Sequence, residues 1–198
     1  QAIQTADVAA LTTAQLSGLS TSNVAALTSG QVTSLGTSQI RALSTSQLNA
    51  LDTGDVAALL TSQVQALTTA QISGVSTDAL NALTTGQVQA LTTAQVSALT
   101  NPQVASLNTA QVVALTTAQA SALTTAQLNA MGTDQIQAIQ TADVAALTTA
   151  QLSGLSTSNV AALTSGQVTS LDSSQVRALS ASQLNALDTG DVAALLTS

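Results

Sequence analysis

The chain has no cysteine, histidine, lysine, glutamate or aromatic residue, and only one proline in 198 residues. Each absence removes a class of chemistry. Without His, Cys or Lys there is no imidazole base, thiolate or amine nucleophile. Without Phe, Tyr or Trp there is no platform on which a base could stack. The charged side chains are nine aspartates plus Arg41 and Arg177, for a net charge of −7. Nucleic acid and anionic lipid both call for clustered cations, so neither is an expected partner. No catalytic, cofactor-binding or metal-binding residues are expected, no cofactor is implied, and the chain is not expected to be an enzyme. No apolar run reaches the roughly 18 residues of a membrane span, and no basic-then-apolar signal segment opens the chain, so membrane insertion is not expected. The lack of Cys leaves the compartment open. The scarcity of basic and aromatic residues leaves few sites for trypsin-like or chymotrypsin-like proteases, which suits an extracellular or cell-surface location.

What is present is aliphatic and regular. Apolar residues make up 45% of the chain and the mean hydropathy is +0.37, enough to bury a core in spite of the low complexity. One eight-residue unit runs about twenty-five times through the 198 residues without a slip of register. Taking Thr12-Thr13-Ala14-Gln15-Leu16-Ser17-Gly18-Leu19 as positions one to eight, position eight is aliphatic from Ile3 to Leu195, and mostly Leu. Position five is Val, Leu or Ile except at Ala120, and position seven is always Ala, Gly or Ser. Position two is Thr in most octads, with Ser29, Asn101, Ser165, Ser173 and Ala181 as substitutes.

A side-chain oxygen placed just before a helix accepts a hydrogen bond from an otherwise unpaired backbone N–H. Position two is the expected cap, which places Pro102, at position three, on the first helical residue, where proline is welcome. All nine aspartates (Asp7, Asp52, Asp55, Asp78, Asp134, Asp143, Asp172, Asp188 and Asp191) fall at positions one, three or four, and both arginines at position six. That polarity matches a helix dipole running through each octad. The expected fold is therefore all-α: a solenoid of short capped helices, one per octad, with positions five and eight forming the buried face. Neither the handedness nor the number of octads per superhelical turn follows from the sequence.

Two rivals follow from the same period. One continuous helix would rotate its apolar stripe by about 80° per octad, so the stripe would face no single partner. A parallel β-solenoid with three octads per rung is the alternative, favoured by Val and Thr. Against it stand the three-residue spacing of the core positions, the Ala and Gln content and the placement of Asp.

Residues 1–62 recur as 137–198 with four differences: Gly36/Asp172, Thr37/Ser173, Ile40/Val176 and Thr45/Ala181. The whole chain, 1–198, is expected to be a single uninterrupted repeat solenoid containing these two near-identical copies, an excerpt of a longer array. The phrases Ala-Leu-Thr-Thr-Ala-Gln-Val at 90–96, and 114–119 with Ala120, resemble the Leu-Thr-Thr-Ala-Gln repeats of very large bacterial surface and secreted proteins of the adhesin or RTX-like kind. The resemblance covers the chain and implies a structural spacer, stalk or fibre-forming region whose partners are neighbouring repeats or copies of itself. The calcium-binding Gly-rich nonapeptides of RTX proteins do not occur here.

Three features carry other readings. Asp52-Thr53-Gly54-Asp55, repeated as Asp188-Thr189-Gly190-Asp191, offers carboxylates to calcium, but two are too few for its 6–8 oxygens, and a helix-start role is preferred. Rows of Thr at positions one and two suggest ice binding or another ligand-binding surface as the alternative function. Position one varies to Gly36, Asp52, Leu60, Asn108 and Gln140, however, which would break a flat face. Leu60, Val113 and Leu196 are apolar at otherwise polar positions and are read either as lateral contacts or as scattered surface apolar residues, which need no explanation.

Overall fold

The computed structural model describes residues 4–195. All regular structure among them is α-helical: twenty-four helices of four to seven residues, one per octad, and no strand. The all-α solenoid expectation holds and the β-solenoid alternative does not. Backbone contacts divide the chain into two units, residues 1–99 and 100–198. Each is built in the same way.

Every helix begins one residue earlier than the threonine pattern suggests. The cap is position one, not position two. Thr12, Ser20, Thr28, Ser44, Asp52 and Asn108 each accept a hydrogen bond from the backbone N–H three residues on, and position two is the first helical residue. The spacing of a capping box explains the shift. A Ser or Thr cap pairs reciprocally with Glu or Gln three residues later, and the octad's Gln at position four stands three residues after position one. Ala181 therefore costs no cap, because Ser180 serves its helix. Pro102 is the second residue of the helix Asn101–Ser106, capped by Thr100. It still lies in the first turn, where the missing N–H has no partner to lose.

Two extended residues join one helix to the next, as at Leu43 (φ −66°, ψ 135°) and Ser44 (φ −70°, ψ 159°). No described residue has positive φ. The joint therefore needs no glycine, and any residue that caps can occupy it.

Helices stack on those three octads away. In residues 1–99, Thr13–Ser17 packs on Thr37–Ala42, and Thr61–Ala66 on Thr85–Ala90. In residues 100–198, Asn101–Ser106 packs on Thr125–Ala130, and Thr149–Ser153 on Ser173–Ala178. Within each unit one turn thus takes three octads, with extended residues such as Leu43 and Ser44 redirecting the chain between helices. Position five (Leu16, Val24, Val64, Val96) and position eight (Leu35, Leu43, Leu99, Leu123) fill the inside of each turn.

At two position-seven glycines the helix three octads earlier passes close. A Cβ on Gly74 would sit 2.6 Å from Thr45 Cγ2, and one on Gly154 2.5 Å from Thr125 Cγ2. Each glycine is also clamped by the asparagine four residues after that threonine. Asn49 Nδ2 donates to the Gly74 carbonyl (3.1 Å) and Asn49 Oδ1 accepts from Ser76 N–H (2.8 Å). Asn129 does the same for Gly154 (2.8 Å) and Ser156 (2.8 Å).

The core of residues 1–99 holds a cavity of about 30 Å³ lined by Leu48, Val56, Leu59, Ile72, Val75 and Ala79 among others. Its cause is local. Val75 stands where most octads have Leu, and Ala79 where most have Gln. Val75→Leu is expected to fill the void and raise stability by about 0.7 kcal/mol at the usual cost per Å³ of cavity. Thermal melting followed by circular dichroism checks this, and a lowered melting temperature would show that the site is already full.

Candidate functional site

A six-residue helix has few backbone groups that its own ladder can satisfy, since the first four N–H and last four C=O groups lack intrahelical partners. The side chain at position four answers both ends. Gln63 Oε1 accepts the N–H of Leu60, at the start of its own helix, at 2.8 Å. Its Nε2 donates to the carbonyls of Val32, Thr33 and Leu35, at the end of the helix four octads earlier, at 2.9, 3.3 and 2.8 Å. Gln71, Gln87 and Gln95 repeat the pattern in residues 1–99, as do Gln151, Gln167 and Gln183 in residues 100–198. These amides are buried. Where position one is Gly36, Leu60 or Gly132 and offers no side-chain cap, the glutamine still takes its N–H.

The seat recurs in the two near-identical segments. Gln39 donates to the Leu11 carbonyl at 2.7 Å and Gln175 to that of Leu147 at 2.7 Å. It is also two-sided. On the first described turn, Leu11, Leu19 and Leu27 are only half-buried, and Gln15 and Asn23 are exposed. On the last, Val176, Leu184 and Val192 are half-buried. Position eight and the position-four amide therefore face the preceding turn, while position five and the helix-end carbonyls face the following one. The two faces are unlike and complementary, the condition for heterologous stacking.

The family model for the ALTTAQ repeat matches in eight overlapping copies, over residues 1–37, 33–61, 56–93, 70–101, 77–109, 93–125, 104–138 and 136–173. The chain belongs to the ALTTAQ repeat family. None of the curated proteins compared with it matches. The six letters, as in Ala90-Leu91-Thr92-Thr93-Ala94-Gln95, span a joint: the end of one helix, the extended pair, the cap and the amide that locks the next turn in place. The family's signature is thus the joint rather than the helix.

The residues singled out in the sequence are not brought together. Asp52 caps its helix by accepting from Asp55 N–H at 2.8 Å, whereas Asp55 is buried and accepts from the Ser29 hydroxyl at 2.7 Å. Asp188 likewise accepts from Asp191 N–H at 2.7 Å. Among the described residues no three His, Cys, Asp or Glu side chains gather as for a metal. The hydroxyls at position one are engaged as caps, while Thr13, Thr37, Thr53 and Thr85 at position two are exposed. Arg41 and Arg177 are exposed at position six. Among the described residues Leu60 (51% exposed) and Val113 (46%) are the exposed large apolar side chains, at positions one and six of the octad; Leu196 lies outside the described residues.

Sequence reasoning missed the glutamines. Their signal was present: position four is Gln, Asn or Asp in every octad but that of Ala79, and it adjoins the buried position five. Three substitutions in one octad separate the roles. Gln95→Ala leaves buried carbonyls without a donor and is expected to cost about 1–3 kcal/mol; Thr92→Ala loses a cap, about 1 kcal/mol; Thr93→Ala is expected to be near neutral. Melting temperatures in any other order contradict the assignment of the joint.

Proposed function

We propose that this array is a structural spacer or fibre-forming region of a bacterial cell-surface or secreted protein, and that its turns, including those of further copies, stack end on end. The carrying observation is the two-sided seat: each turn presents to the next what it received from the one before. Nothing in such an interface limits the number of turns, and stability accumulates from neighbour to neighbour. The resemblance to repeats of large surface proteins supports the location. So does the shortage of basic and aromatic residues, which leaves proteases little to cut.

Small-angle scattering on chains carrying one, two and three copies of residues 1–136 tests the spacer. The longest dimension is expected to rise by a constant increment per block. A dimension that hardly grows would contradict the reading. Sedimentation at rising concentration tests the stacking. Concentration-dependent growth is expected, and Leu19→Asp on the first-turn face is expected to abolish it. A monomer at every concentration would remove the stacking and leave the spacer.

A further inference from the structure

Four octads carry aspartate at the glutamine position, Asp7, Asp55, Asp143 and Asp191, and the last three are buried. A glutamine amide donates to the helix end that it meets; a carboxylate has nothing to donate. Asn159 shows how far a side chain of aspartate's length reaches. Its Nδ2 lies 2.8 Å from the Leu128 carbonyl oxygen, the position-five carbonyl 31 residues back. Asp143, 3% exposed and of the same shape as asparagine, carries an oxygen in place of that nitrogen. Its register partners are the carbonyls of Val112 and Leu115, at the end of the helix Thr109–Val113. The Val113 carbonyl between them is taken by Gln140 Nε2 at 2.7 Å.

One carboxylate oxygen of Asp143, Oδ1, accepts from the Thr117 hydroxyl at 2.8 Å. The other, Oδ2, is sealed from solvent and accepts no hydrogen bond from the protein. Asp191, 4% exposed, stands in the same register toward Val160 and Leu163, with its Oδ1 sealed and unpartnered. Asp55 stands in the same register toward Val24 and Leu27, with the Ser29 hydroxyl on its Oδ1. By register, each carboxylate stands where glutamine or asparagine in other octads donates to a helix-end carbonyl, and an acceptor in that place costs free energy unless positive charge accompanies it.

We propose that these buried aspartates, Asp143 and Asp191 foremost, each hold a sodium-sized monovalent cation between the carboxylate and the helix-end carbonyls. The ligands are all hard oxygens: the free carboxylate oxygen, two carbonyls and the Thr117 hydroxyl oxygen at Asp143. One carboxylate balances one positive charge. A divalent ion would leave a buried excess charge and lack the 6–8 oxygens calcium takes.

The test compares thermal melting in sodium chloride and in choline chloride at equal ionic strength and pH, with ²³Na line width as the direct readout of binding. The chain is expected to melt several degrees higher in sodium and to broaden the ²³Na line. Asp143→Asn/Asp191→Asn supplies the amide that Asn159 already uses, so it is expected to lose the larger part of both effects while melting no lower in choline. Asp78→Asn/Asp134→Asn removes the same charge from exposed positions and is expected to keep both effects. Equal melting in the two salts, or an equal loss in the exposed control, would overturn the proposal. So would stabilisation in choline chloride on acidification with no response to sodium, which would assign a proton to the site, or a larger response to calcium that the buried variant abolishes.

Discussion

A helix of six residues is almost all ends. In a long helix the unpaired N–H and C=O groups are a fixed cost spread over many turns, but here they recur every eight residues, and each set must find partners for the array to fold. The position-four glutamine is the response. Its oxygen closes the start of its own helix and its nitrogen closes the end of a helix four octads earlier, so one side chain satisfies groups at two joints. Because the two joints belong to successive turns, the bond that caps is also the bond that stacks.

Much of the rest follows from that amide. Position five adjoins it and is buried with it, position eight closes the turn from the other side, and position seven is kept small where the neighbouring threonine methyl passes. Apolar burial supplies the driving force for collapse, while the directional amide fixes register at each octad, as buried polar groups do when fully satisfied. The unit is modular in the strict sense: its contacts reach only the adjoining turns, which is what allows repetition without a set limit and what a spacer requires. Ala79 and the aspartates at position four depart from this scheme, since neither side chain can donate to the helix end that glutamine meets.

The helical class was legible because positions five and eight are three apart and the aspartates sit at helix starts; no strand pattern reproduces either. The cap was misplaced by one residue because Thr12 and Thr13 look alike in sequence, and only the distance to Gln15 tells them apart. The number of octads per turn was not legible at all. It depends on the two extended residues at each joint, Leu43 and Ser44 for example, whose backbone angles leave no mark on composition. The glutamines were read as helix formers because polar residues are usually exposed. Their burial depends on a partner 28 to 31 residues away, which an eight-residue period does not reveal. The contrast between Asp52, which caps, and Asp55, which is buried, was hidden for the same reason.

Hydrogen exchange of the glutamine side-chain amides tests the central claim most directly, because the chain contains its own control. Gln63, Gln95 and Gln167 at position four are buried with Nε2 on helix-end carbonyls, while Gln65 and Gln137 at position six are exposed. By nuclear magnetic resonance the first group is expected to exchange with solvent far more slowly than the second, with protection lost only when the helices melt. Equal, rapid exchange in both groups would show that the amide does not hold the turns together, and would contradict the account.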